Sequence, residues 1–131
     1  MKLLLKLLFV SVFLFSFSCG KTVKFPASSS VPAAEITATK KQDSNKNYVI
    51  EIKAKNLASP ERLSPKRNNY CVWILTTEGE VKNLGQLLNK NGESASLKAT
   101  TPFNAKEIFI TAEDKGNVSY PSGVEISRVS M

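Results

Sequence analysis

Histidine is absent from all 131 residues of the chain. That one absence removes imidazole acid–base catalysis, Ser-His-Asp triads and His-ligated zinc together. Cysteine is nearly absent too, with only Cys19 and Cys71, so at most one disulfide can be built. Cys71 sits in the most apolar stretch of the chain, where a lone thiol behaves as a small hydrophobe rather than a nucleophile. Acidic residues number 11 against 18 basic ones, and no loop carries the alternating oxygen ligands of a calcium site. No metal and no cofactor is therefore expected. No apolar run approaches the roughly 20 residues of a spanning helix. The formal charge is +7, yet the basic residues are scattered, without the aromatic-interleaved stripe of a nucleic-acid binder, and no nucleic-acid partner is expected.

What is present begins with a leader. Lys2 and Lys6 precede an apolar run over residues 7–17, and Ser16-Phe17-Ser18 closes it with a small-x-small pattern. These features describe a signal peptide over residues 1–18. Ser16-Phe17-Ser18-Cys19 resembles a bacterial lipobox, with Ser16 where the pattern prefers leucine. On that resemblance Cys19 becomes the lipidated first residue and the membrane is a partner through its lipid. Gly20, rather than aspartate, then favours the outer membrane. Ordinary cleavage after Ser18 satisfies the same small-x-small rule, and in that case a Cys19–Cys71 bridge is open in an oxidising compartment. Loss of Lys2 and Lys6 leaves a charge of +5, which supports a modest attraction to anionic headgroups.

Residues 19–32 are rich in Lys, Ser, Ala and Pro and read as a flexible, lipid-anchored tether. The domain is expected over residues 33–131. Residues 33–42 and 48–55 alternate apolar and polar positions around the turn cluster Asp43-Ser44-Asn45-Lys46-Asn47, predicting a hairpin. Residues 56–65 hold Pro60 and Pro65 and read as a crossover loop packed down by Leu57 and Leu63. Residues 70–77 are the most apolar segment and the expected central strand. Cys71, Trp73 and Leu75 share one of its faces; Tyr70, Val72 and Ile74 share the other. Trp73, the only tryptophan, is assigned to the core between two sheets.

Glu78-Gly79 then turns the chain, and Asn91-Gly92 is its strongest hairpin signal. Further strands are expected near 81–84, 94–100, 107–113 and 124–129. Only residues 84–88 could add a single helical turn. About seven strands with short connections predict an all-β fold, a small antiparallel Ig-like sandwich. The expected core is Ile50, Ile52, Val72, Trp73, Leu75, Leu84, Leu97, Ile108, Ile110 and Val124, with Cys71 beside it as a structural residue.

A series of short motifs runs through this region: Tyr70-Cys71-Val72-Trp73, Glu78-Gly79, Asn83-Leu84-Gly85, Asn91-Gly92, Ala99-Thr100-Thr101-Pro102-Phe103, Ile110-Thr111-Ala112-Glu113 and Pro121-Ser122-Gly123. In that order it resembles the C-terminal extracytoplasmic domain of anti-sigma-K-type factors over residues 48–126. The resemblance implies a β-sandwich outside the cytoplasmic membrane. It carries no catalytic residues, and the sigma-binding helical domain of those factors has no counterpart here.

Two readings of function follow. In the first, the chain is a non-enzymatic, lipid-anchored envelope protein whose sandwich binds or senses a protein or glycan partner. In the second, Glu78, Glu80, Glu113 and Asp114 serve a carboxylate-based hydrolase or an enzyme accessory. Scattering of those carboxylates to opposite ends of the fold would count against the second.

Overall fold

Period-two alternation of apolar and polar side chains dictates most of the strands in the computed structural model, which describes residues 20–89 and 94–131. The leader, Cys19 and the Asn91-Gly92 turn lie outside those residues. The strands are β1 (Lys21–Lys24), β2 (Glu35–Gln42), β3 (Tyr48–Lys55), β4 (Asn69–Thr76), β5 (Val81–Gln86), β6 (Leu88–Asn89), β7 (Ser94–Thr101), β8 (Ala105–Glu113) and β9 (Val124–Ser130). They form a five-stranded sheet in the order β1-β2-β3-β7-β6 and a four-stranded sheet in the order β5-β4-β8-β9. Every pairing is antiparallel. The fold is an all-β sandwich, as the strand count and turn spacing led one to expect. The β2–β3 hairpin runs in unbroken register from Glu35↔Lys55 to Gln42↔Tyr48.

Successive strands run in opposite directions, except that β6 continues β5 into the other sheet, so the connections fall at the two ends of the sandwich. One end carries short turns at residues 43–47, 77–80 and 102–104, together with Gly20 and Met131. The other carries long connections at residues 25–34, 56–68 and 114–123.

The core between the sheets is made by Ile36, Ala38, Ile50, Ile52 and Ala54 from one side and by Tyr70, Val72, Ile74, Ile108, Ile110 and Ala112 from the other. Each fully buried aliphatic side chain contributes about 1.5–3 kcal/mol relative to exposure. Leu84 and Leu97 are half-buried against this core. Val124 is 42% exposed and does not belong to it.

Trp73 is fully buried but not between the sheets. It lies in a separate cluster with Cys71 and Phe109, against which Val118 packs. The inward face of β4 is the one holding Tyr70, Val72 and Ile74, opposite to the assignment from sequence. Leu75 shares the outward face, is only half-buried and joins neither cluster. The reason is that β4 is central and covered on both faces. Its apolar residues therefore do not alternate with polar ones, and nothing local says which face meets the partner sheet.

Three other expectations are corrected. Residues 20–32 are not a free tether: β1 pairs with β2 from Lys21↔Lys40 to Lys24↔Thr37. Phe25 and Val31 are each only 4% exposed. The buried Ser28 hydroxyl accepts the N–H groups of Ser30 and Val31 at 3.2 and 3.3 Å, and Ser127 donates to the Pro26 carbonyl at 2.9 Å. Val23, Phe25 and Val31 give this polar segment enough apolar surface to fold down. Residues 84–88 belong to β5 and β6 rather than to a helical turn. The single 3-10 turn among the described residues is Pro60–Arg62, where a proline at the first position suits a helix start.

Candidate functional site

The long-loop end holds most of the polar organisation of the molecule. Glu113 closes β8 there with a carboxylate only 1% exposed. Its Oε1 accepts the N–H groups of Ser122 and Gly123 at 2.9 and 3.0 Å and the Thr111 hydroxyl at 2.8 Å. Its Oε2 accepts the Ser122 hydroxyl at 3.0 Å. Thr111 in turn accepts the Trp73 indole N–H at 2.8 Å. Burial pushes the Glu113 carboxyl upward, but the bonds from Gly123, Thr111 and Ser122 outweigh it and hold the group below its ordinary value. This chain of donors fixes residues 114–123 against the outer face of the four-stranded sheet.

Asn83 fastens the same segment from β5, donating to the carbonyls of Gly116 and Val118 at 3.3 and 2.9 Å. Beneath it Trp73 and Phe109 are stacked, with centroids 6.2 Å apart. The Arg128 guanidinium covers Phe109 at 4.0 Å and is held there by Glu107 and Glu125 at 2.8 and 2.6 Å. Cys71 is sealed under the segment, its thiol 3.7 Å from the carbonyls of Lys115 and Gly116. Burial, with the Glu113 charge adding to it, pushes that thiol up to about 11. It is protonated at neutral pH and is not a nucleophile.

Residues 56–68 are clamped to this assembly through Asp114. The Asp114 carbonyl accepts Asn68 Nδ2 and Asn69 Nδ2 at 3.3 and 3.1 Å, and its carboxylate accepts Arg67 Nη1 at 3.2 Å. Tyr70 holds the start of the loop, its hydroxyl donating to the Ala58 carbonyl at 2.6 Å. Between the clamped loops and residue 30 lies a cavity of about 300 Å³, lined by Ser30, Arg62, Leu63, Ser64, Arg67 and Val124 among others. Arg67 Nε is buried and has no hydrogen-bond partner, a state that costs about 1–3 kcal/mol, more for a charged group. Two arginines and two serines thus line it beside apolar Leu63 and Val124. A planar oxyanion such as a carboxylate matches that donor set.

On the other side of residues 114–123 an open cleft of about 590 Å³ runs along β5. Tyr120 stands at its margin, 79% exposed. A large aromatic held out on a fixed loop offers a rigid, amphipathic contact surface.

The four carboxylates considered from sequence do not form one site. Glu78 and Glu80 sit in the turn after β4, whereas Glu113 pairs with Asn69 at the start of that strand. At a rise near 3.3 Å per residue this separates the two pairs by roughly 23 Å. Glu80 is engaged by Lys82 at 2.9 Å, and Asp114 by Arg67 at 3.2 Å. Among the described residues no group of three or more His, Cys, Asp or Glu could hold a metal ion. The sequence reading missed Arg62 and Arg67. The pair Lys66-Arg67 is visible as charge, but only the folded loop reveals that one arginine turns inward. No protein-family model, curated protein or solved structure matches the chain.

Proposed function

We propose that this chain is a non-enzymatic binding module of the bacterial envelope, anchored through lipid on Cys19, which takes a protein or glycan partner at its long-loop end. The observation that carries the reading is the cavity lined by Arg62, Arg67, Ser30 and Ser64, beside which Arg67 keeps a buried Nε without a hydrogen-bond partner. An acidic group on the partner completes that arrangement, and Tyr120, exposed on the other side of residues 114–123, supplies further contact area. The wide separation of the carboxylates supports binding over hydrolysis. The order of motifs supports kinship with the extracytoplasmic sandwich of anti-sigma-K-type factors, with any regulatory output left to the partner.

The test is photo-crosslinking in intact cells from a reactive residue placed at Tyr120. A partner should be captured, and Arg62→Gln with Arg67→Gln should reduce the yield at least about tenfold, the equivalent of one lost charge-assisted pair. Capture at undiminished yield by that double variant, with its melting temperature preserved, would reject the site. The anchor is tested separately: Cys19→Ser should abolish labelling by palmitate and release the protein from membranes.

A further inference from the structure

We infer that the short-turn end of the sandwich is a docking surface for an anionic phospholipid membrane, so that the long-loop end faces away from it. The inference rests on the lipid-anchor reading for its geometry, and its own support is the folding of residues 20–32 into the domain. β1 starts at Lys21, and Gly20 packs against Lys41, with an added Cβ meeting the Lys41 Cβ at 3.2 Å. No spacer therefore stands between Cys19 and the sheet. One or two residues reach at most about 7 Å, which is within the Debye length of about 8 Å at physiological salt. A flexible tether of the length expected from composition would average about 20 Å, and headgroup charge would be screened across it.

The charges at this end suit the distance. Lys21, Lys41, Lys46 and Lys106 are exposed, and among the described residues none of them forms an ion pair. Its acids are mostly occupied. Asp43 accepts the N–H groups of Asn45 and Asn47, both at 2.9 Å. Glu80 is paired with Lys82, and Glu107 with Arg128. Glu78 alone stays unpaired among the acids of these turns. Lys40 is committed inward, to Asn104 Oδ1 and the Ala105 carbonyl at 2.9 and 3.0 Å, and so braces the turn at residues 102–104. That turn exposes Phe103, 39% accessible, with the Lys82 ammonium 4.9 Å from its ring. An aromatic beside a lysine is a pair that sits well at the headgroup level.

The opposite end is basic as well. Arg67 is tied to Asp114, but Lys24, Lys55, Arg62, Lys66 and Lys115 are exposed and, among the described residues, outside any ion pair. What sets the short-turn end apart is its nearness to Cys19, its short turns and the exposed Phe103 beside Lys82.

The experiment uses the mature chain carrying Cys19→Ser, which removes the lipid and leaves every strand. It is floated with vesicles of phosphatidylcholine alone or mixed with phosphatidylglycerol. Binding should need the anionic lipid and vanish as salt rises from roughly 0.01 to 0.5 M. The triple variant Lys41→Gln, Lys46→Gln, Lys106→Gln should lower partitioning about a hundredfold, at about fivefold per lysine near the surface. Arginine at the same three positions should restore it. Glutamine at Lys55, Lys66 and Lys115, away from the Phe103–Lys82 pair, should lower it far less. Equal binding to neutral vesicles, an equal loss from the long-loop variants, or full displacement by inorganic phosphate at matched ionic strength would each overturn the inference. Loss of palmitate labelling in the wild-type chain would remove the anchor without altering the flotation result, so the two failures can be told apart.

Discussion

The two ends of the sandwich solve the same problem, turning a strand back on itself, in different ways. At the short-turn end local chemistry suffices: Asp43 folds its own turn, and Gly79 supplies a positive φ of 88°. At the long-loop end the connections are too long to be specified locally. They are held by distant partners, Glu113 on Ser122 and Gly123, Asn83 on Gly116 and Val118, and Asn68, Asn69 and Arg67 on Asp114. The difference teaches where this fold can afford a site. Loops clamped from outside themselves can leave a donor such as Arg67 Nε unpaired, whereas the tight turns are closed by bonds within themselves.

The sharpest way to break the contrast is at Gly123. A Cβ there would lie 1.7 Å from the Ala112 carbonyl oxygen and 2.8 Å from its carbon. Neither atom can rotate away, because Ala112 is a buried residue of β8 paired with Val124. Gly123→Ala should destabilise the protein by about 3 kcal/mol in urea unfolding, the upper end for forced overpacking. Hydrogen exchange should show the loss first in residues 114–123. Near-neutral behaviour would mean that this segment is not seated against the sheet.

Glu113 comes next. Glu113→Gln keeps the shape but removes the charge that four donors address. The expected loss at neutral pH is about 2–3 kcal/mol, the range for hydrogen bonds to a charged group that leave buried donors poorly satisfied. The pH dependence has a definite sign. The folded-state value is depressed, so the stabilisation is fully present above the unfolded carboxylate value of about 4.3 and is lost as pH falls through the folded value. Wild type should therefore converge on Glu113→Gln in acid, as read from urea midpoints across pH. Parallel curves would show that the carboxylate is not the clamp.

Much of the scaffold was legible from residues alone. In β3, Ile50, Ile52 and Ala54 alternate with Glu51, Lys53 and Lys55, and one solvated face makes such a strand declare itself. β4 could not declare its inward face, because the segment covering Trp73 lies some forty residues further along the chain. β1 escaped notice because a four-residue strand that begins and ends in lysine holds too little pattern, and its fold depends on Ala38 and Ile36 across the pair. The candidate site was less legible still. Pro121-Ser122-Gly123 is visible as a motif, but the bonds from Ser122 and Gly123 to Glu113 are non-local. That one guanidinium nitrogen of Arg67 is buried without a partner follows from the positions of three loops, not from any short motif.

The smallest expected effect belongs to the other end. Gly79 has φ +88° and open space where a Cβ would go, so Gly79→Ala meets no neighbour and suffers only the backbone penalty. That penalty is about 1–2 kcal/mol for an L residue in the left-handed region. Gly79→Asn, which tolerates that region better, should recover part of it. The loss should appear in the global unfolding midpoint, while amide protection around Ser122 and Gly123 falls no further than at the core strands. If Gly79→Ala instead disturbs crosslinking from Tyr120, the two ends are coupled and cannot act as separate docking and binding surfaces. If it leaves Tyr120 untouched while Glu113→Gln abolishes capture, their independence is established by a pair of substitutions at opposite ends of β4.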